Sequence, residues 1–122
     1  MKDTRKITGN DGENRACTFL ENNGYKIVAR NFRKCQGEID IIAVKNDVLV
    51  FVEVKTLPNG TSELLSHVLD KRKQKRIIKT SKCFLSIYRQ YSNNYIRFDV
   101  IVMDMPGFPD IYHIENAFSE FL

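Results

Sequence analysis

Gly37-Glu38-Ile39-Asp40-Ile41-Ile42-Ala43-Val44, then Lys45-Asn46-Asp47, then Val48-Leu49-Val50-Phe51-Val52-Glu53-Val54-Lys55 reads as a β-hairpin. Both arms are rich in Ile and Val, and the residues between them carry turn chemistry. Val48 to Val52 is apolar at five successive positions, so both faces of that strand are buried and it belongs inside a sheet. With the turn centred between Asn46 and Asp47, paired residue numbers add to 93, which sets Asp40 opposite Glu53. Residues so opposed share a face, with Cβ atoms about 4.5–5.5 Å apart. Lys55, two residues on, faces the same side.

Asp40, Glu53 and Lys55 are polar residues in otherwise apolar strands. An unpaired buried charge costs several kcal/mol or neutralises itself, so each acid needs a partner. Two opposed carboxylates repel, and a divalent cation between them reverses the sign of that interaction. Oxygen ligands without histidine or thiolate favour Mg²⁺ or Mn²⁺ over zinc. Glu13 lies three residues before Ala16 and seven before Leu20, on the helix face that packs inward, and can add a further carboxylate. Plainer readings stand beside these. Glu13 can complement a helix dipole, Asp40 can pair with Arg33 or Lys55, and Glu53 with Lys55 can be an ordinary ion pair.

Outward from the hairpin, a helix is expected from about Asn10 to Asn23, capped by Asn10 or Asp11 and ended by Gly24. A strand follows over Tyr25 to Phe32. Pro58, Asn59 and Gly60 form a loop, and a second helix runs from about Asp70 to Tyr88 with Asp70 as N-cap. Its buried stripe is Ile77, Ser81, Phe84, Leu85 and Tyr88. Tyr95 to Met103 is a strand, Pro106 to Pro109 a turn, and Ile111 to Ile114 a short last strand. This order of helices and strands is that of an α/β fold, a single domain built round a central mixed β-sheet flanked by helices.

The 122 residues, 43% hydrophobic and 28% charged, suit one soluble globular domain. Cys17, Cys35 and Cys83 are odd in number, far apart and near neither His67 nor His113. Reduced, mostly buried thiols are therefore expected, and neither a disulfide framework nor a zinc site. The polar first fourteen residues lack the apolar region of a secretory signal, and no apolar run is long enough to span a bilayer. A cytoplasmic protein is expected, with no membrane partner.

Seven of the twelve residues from Lys71 to Lys82 are basic, with no acid among them. Lys71, Arg72, Lys73, Lys75, Arg76 and Lys79, with Gln74, make a positive patch that attracts a polyanion, unless it is simply a solvated helix face. Lys73, Gln74 and Arg76 are expected nearest the carboxylates. Asp99 is expected to pair with a nearby Arg or Lys, and His113 to be structural.

Gly37-Glu38-Ile39-Asp40, a gap of twelve residues, then Glu53-Val54-Lys55 resembles the D-x(n)-E-x-K signature of the PD-(D/E)XK nuclease superfamily. More closely, the chain resembles the YraN-like family, itself similar to archaeal-type Holliday junction resolvases. Gly9 to Glu13, Gly24-Tyr25, Arg30 to Arg33, Arg97 to Val100 and His113 to Phe118 carry that resemblance together with the two motifs. Two positions depart from the pattern: Ile39 stands in place of Pro, and Leu57 in place of the Arg that usually follows Lys-Thr. The resemblance implies a restriction-endonuclease-like core. It implies a catalytic site of Glu13, Asp40, Glu53 and Lys55, with the three acids on one or two Mg²⁺ or Mn²⁺ ions. The implied activity is hydrolysis of phosphodiester bonds in DNA, with junction-like substrates and a homodimer as its finer expectations. The competing expectations are a module that holds nucleic acid without cutting it and a protein-interaction domain.

Overall fold

A computed structural model of the chain describes residues 4–61 and 69–120, with side chains from Asp11 onward. His67 lies outside the described residues. Helix α1 spans Thr4–Asn22. Strands β1 (Lys26–Lys34), β2 (Gly37–Lys45) and β3 (Val48–Thr56) follow, then α2 (Lys71–Ile87), a 3₁₀ turn at Arg89–Tyr91, β4 (Tyr95–Met103) and β5 (Ile111–Phe118).

The strands form one five-stranded sheet in the order β1-β2-β3-β4-β5. Every neighbouring pair is antiparallel except β3 and β4, which run parallel. A parallel pair needs a crossover, and α2 lies in the connection that makes it. The fold is α/β with a mixed sheet flanked by two helices, as a restriction-endonuclease-like core requires. The doubly apolar strand β3 is the central one. Leu49 to Val52 are no more than 1% exposed.

Each helix covers one face. Ala16, Cys17 and Leu20 of α1 pack with Ile41, Ala43, Val50, Val52 and Ile101. Ile77 and Phe84 of α2 pack with Ile39, Ile42, Leu49, Phe51 and Phe98 on the other face. Phe84 is central there, edge-on to Phe32 and Phe51. Asp70 caps α2 through a 2.9 Å bond from the Lys73 N–H, as its position predicts.

Some expectations are corrected. Helix α1 begins at Thr4, well before the polar Asn10 and Asp11, so neither residue is its cap. β5 continues to Phe118, whose ring stacks on Phe98 and extends the core. Tyr88 is 38% exposed at the end of α2 rather than buried in its stripe. Cys35 and Cys83 are joined in a disulfide, and Cys35 is exposed; Cys17 alone is a buried free thiol. The linear sequence hides that bond because it depends on how α2 settles against the β1–β2 turn. Among the described residues no helix is long and apolar enough to cross a membrane.

Candidate active site

The hairpin register is the expected one: Lys45 pairs with Val48, and the ladder runs to Ile41 opposite Val52. There it stops. The Asp40 carboxylate instead accepts a 2.8 Å hydrogen bond from the Val54 N–H. The alternation of β2 also breaks here. Ile39 and Ile42 both pack on the α2 side, while Ile41 and Ala43 pack on the α1 side. Across β1, Asn31 has a φ of 52°, outside the extended range of a regular strand. Asp40 therefore stands where the sheet is locally irregular, and it feels acids on both sides.

Burial and those acids set its protonation. Burial, then the nearby charge of Glu53, then Glu13 and Glu38, push the Asp40 pKa up to about 7, against the single bond from Val54. Glu53, 9% exposed, is better placed: Lys73 Nζ lies 2.7 Å from its Oε1 and Lys55 Nζ 3.5 Å from it. Burial works against the Lys73 charge, but its hydrogen bond to Glu53, its contact with Lys55 and the charges of Glu53 and Asp40 together outweigh that and hold its pKa above the ordinary value.

Glu13 comes from α1. Gly12 sits close to the end of β3, where a Cβ would lie 3.1 Å from Thr56 Oγ1 and crowd it. The Glu13 Oε1 atom is buried without a hydrogen-bond partner. Burial, reinforced by Glu38, raises its pKa despite Arg30, Arg33 and the Asn31 side chain. The structure thus brings Glu13, Asp40, Glu53 and Lys55 into one electrostatic neighbourhood. Among the described residues, no three acids, imidazoles or thiolates stand at a spacing that would already hold a metal ion. The donor set nevertheless suits a hard cation: an orphaned buried carboxylate oxygen and a carboxyl whose pKa is raised by burial and by its acidic neighbours both gain from one.

The polar residues named for the patch on α2 divide into two groups. Lys71, Arg72, Lys75, Arg76 and Lys79 are exposed. Lys73 turns toward Glu53, and the Gln74 amide donates to the Leu69 carbonyl at 3.0 Å, so neither is a free surface group.

A sequence profile of the uncharacterised protein family UPF0102 matches residues 12–103. A UPF0102 protein of Treponema pallidum (strain Nichols) is 44% identical over 124 residues, covering 98% of each chain. One from Treponema denticola is 42% identical over 92% of this chain and 95% of its own. One from Acinetobacter baylyi is 46% identical over 80% of this chain and 70% of its own. The chain belongs to family UPF0102.

The span matched to UPF0102 contains every acid and lysine of the site and the whole of α2, and ends at the last residue of β4. Within it, reasoning from the sequence missed one participant, Glu38, and gave another, Lys73, a different role. Glu38 was read only as part of a motif, yet its charge raises both Asp40 and Glu13. Lys73, expected near the carboxylates as a grip on a ligand, does lie there, with its ammonium 2.7 Å from Glu53 Oε1. An odd acid beside the Gly37 turn was a usable signal for Glu38.

Proposed function

We propose that this UPF0102 protein is a metal-dependent endonuclease of the PD-(D/E)XK type that hydrolyses phosphodiester bonds in DNA. The observation that carries this reading is the electrostatic state of Asp40. Among the described residues a single backbone N–H donates to it, burial and then three acids raise its pKa to about 7, and one oxygen of Glu13 is buried without a hydrogen-bond partner. A site built only for stability closes such a group with a cation from the protein. Asp40, Glu53 and Glu13 would hold Mg²⁺ or Mn²⁺, and a bound ion supplies polarisation of the phosphate and a water of lowered pKa. Lys55, beside Glu53, is placed to balance charge developing on a phosphate oxygen. The exposed cations of α2 would grip the backbone, and that binding weakens with salt. Junction-like substrates, a homodimer and a cytoplasmic location are the finer parts of the proposal.

The test is cleavage of duplex and branched DNA by wild type and Asp40→Asn, with Mg²⁺, Mn²⁺ or EDTA. Asparagine keeps an acceptor for Val54 but not the charge. Metal-dependent cutting is expected, and roughly a hundred- to thousandfold slower in the variant. Cutting by the variant at the wild-type rate would end the assignment of Asp40.

A second reading is a non-catalytic nucleic-acid-binding module. The Lys73 ammonium 2.7 Å from Glu53 favours it, because a protein cation already satisfies that carboxylate. Tight binding of DNA with no cutting in either metal supports this module.

A further inference from the structure

A cleft of about 520 Å³ separates the β1–β2 turn from the first turns of α2. Arg33, Lys34 and Gln36 line it from the turn, and Lys73 and Arg76 from the helix. Its single acid, Glu38, is paired with Arg33 at 3.2 Å, so positive charge remains in excess. The cleft adjoins the acids: Lys73 belongs to its wall and to the Glu53 ion pair, and Glu38 lies two residues before Asp40.

The two walls are fixed to each other. At the base of the turn, a Cβ on Gly37 would fall 1.8 Å from Thr80 Oγ1 of α2, so only glycine allows this approach. At its tip, Cys35 and Gln36 have φ of 58° and 62°, the two left-handed residues of a tight hairpin turn. Neither is glycine, so that conformation carries a cost. Cys35 is bonded to Cys83 of α2, which holds the tip against the helix.

We propose that this cleft is a second phosphate-binding wall: it seats the sugar–phosphate backbone beside the bond presented to the acids, and the Cys35–Cys83 disulfide keeps it in its binding shape. The inference rests on the nucleic-acid reading above and deepens it, because it moves part of the grip from α2 to the β1–β2 turn. Cations on both walls, with the Gln36 amide able to hydrogen-bond among them, suit a chain of phosphates, which carries one charge per nucleotide. The disulfide makes the grip sensitive to redox conditions. A small dithiol supplies two electrons and two protons and closes into its own disulfide. Cys35 and Cys83 become thiols, and the freed turn must then be ordered when the ligand binds.

Fluorescence anisotropy with labelled duplex DNA, in EDTA to prevent cutting, tests both parts. Circular dichroism checks the fold of each variant. For Arg33→Ala/Lys34→Ala, the slope of log affinity against log salt is expected to flatten by about 1.8, the share of two phosphate contacts. Reduction with a dithiol is expected to weaken wild-type binding roughly three- to tenfold, as ordering a loosened wall opposes association. Cys83→Ser should match the reduced protein and ignore the reductant. An unchanged slope for Arg33→Ala/Lys34→Ala, together with a flattened one for Lys75→Ala/Lys79→Ala, overturns the cleft and leaves the nucleic-acid reading standing. Equal affinity of oxidised and reduced wild type overturns the role of the disulfide. No salt-dependent binding by wild type removes the proposal and the reading beneath it together.

Discussion

Two aspartates in this sheet have opposite surroundings. Asp99, 1% exposed in β4, accepts hydrogen bonds at 2.9 Å from Arg97 Nε and Nη2 and from the Asn116 N–H, and pairs with His113 Nε2 at 2.6 Å. Burial alone would raise its pKa, but those bonds outweigh burial and hold it below the ordinary carboxylate value. The Arg97 charge is held in turn by Asp99 and by the Tyr25 hydroxyl at 2.5 Å. Asp40 is half-buried, has one backbone donor, and is raised to about 7. Burial pushes both acids the same way. The difference lies in what the protein supplies against it: a guanidinium and an imidazole at Asp99, more carboxylates at Asp40. The first arrangement is closed, and the second is complete only with a proton or an external cation.

The contrast is broken most forcefully at Asp99. Asp99→Ala strands Arg97 and His113 around a buried gap, and removing one member of a buried charge network costs about 3–5 kcal/mol. Urea unfolding should show that loss, and Mg²⁺ should not restore it. A loss within the range of surface substitutions would mean that the network is not what holds β4 to β5.

Asp40→Asn should move stability the other way. The folded-state pKa of about 7 lies above the ordinary 3.8, so between those values the folded state binds the extra proton. Wild-type stability therefore falls as pH rises from about 4 to about 7, and the full penalty is present above 7. Asparagine does not ionise, so the variant should exceed wild type by about 1–3 kcal/mol at pH 8 and gain much less at pH 5. Added Mg²⁺ should raise the wild-type Tm and leave that of the variant unmoved. A difference independent of pH would remove the electrostatic account of this site.

How much of the contrast was visible in the sequence follows from the range of the forces involved. The β2–β3 register, the bounds of β4 and the Asp70 cap are set by neighbours within a few residues, through alternation, turn chemistry and capping, and each was legible. Asp99 was legible as an acid needing a basic partner, and Arg97 two residues away supplied one. The break in alternation at Asp40 was not, because it involves β1, where Asn31 leaves the extended conformation. Lys73 was legible as a cation near the carboxylates, but its pairing with Glu53 was not, because that depends on the rotation of α2 over the sheet. The Cys35–Cys83 bond closes a separation of 48 residues and leaves no local trace. Helix α1 was started too late because Asn10 and Asp11 are good caps by type, although the chain is already helical at Thr4.

A third carboxylate sharpens the comparison from its weak end. Asp104 receives two bonds from Arg15, at 2.9 and 3.0 Å, and this pairing lowers its pKa as Arg97 does for Asp99. The side chains are 34% and 40% exposed, however, so water competes for both charges. If number and geometry of partners alone decided the energy, Arg15→Ala would approach the cost of Asp99→Ala. If burial sets the scale, it should cost only about 0.2–1 kcal/mol, and most of that should vanish near 1 M salt, where the screening length is about 3 Å. Urea unfolding at low and high salt separates the two. A cost above about 2 kcal/mol, unchanged by salt, would exceed the range for exposed pairs and show that bidentate geometry suffices. The distinction drawn between Asp99 and Asp40 would then rest on their partners alone, with burial a minor influence.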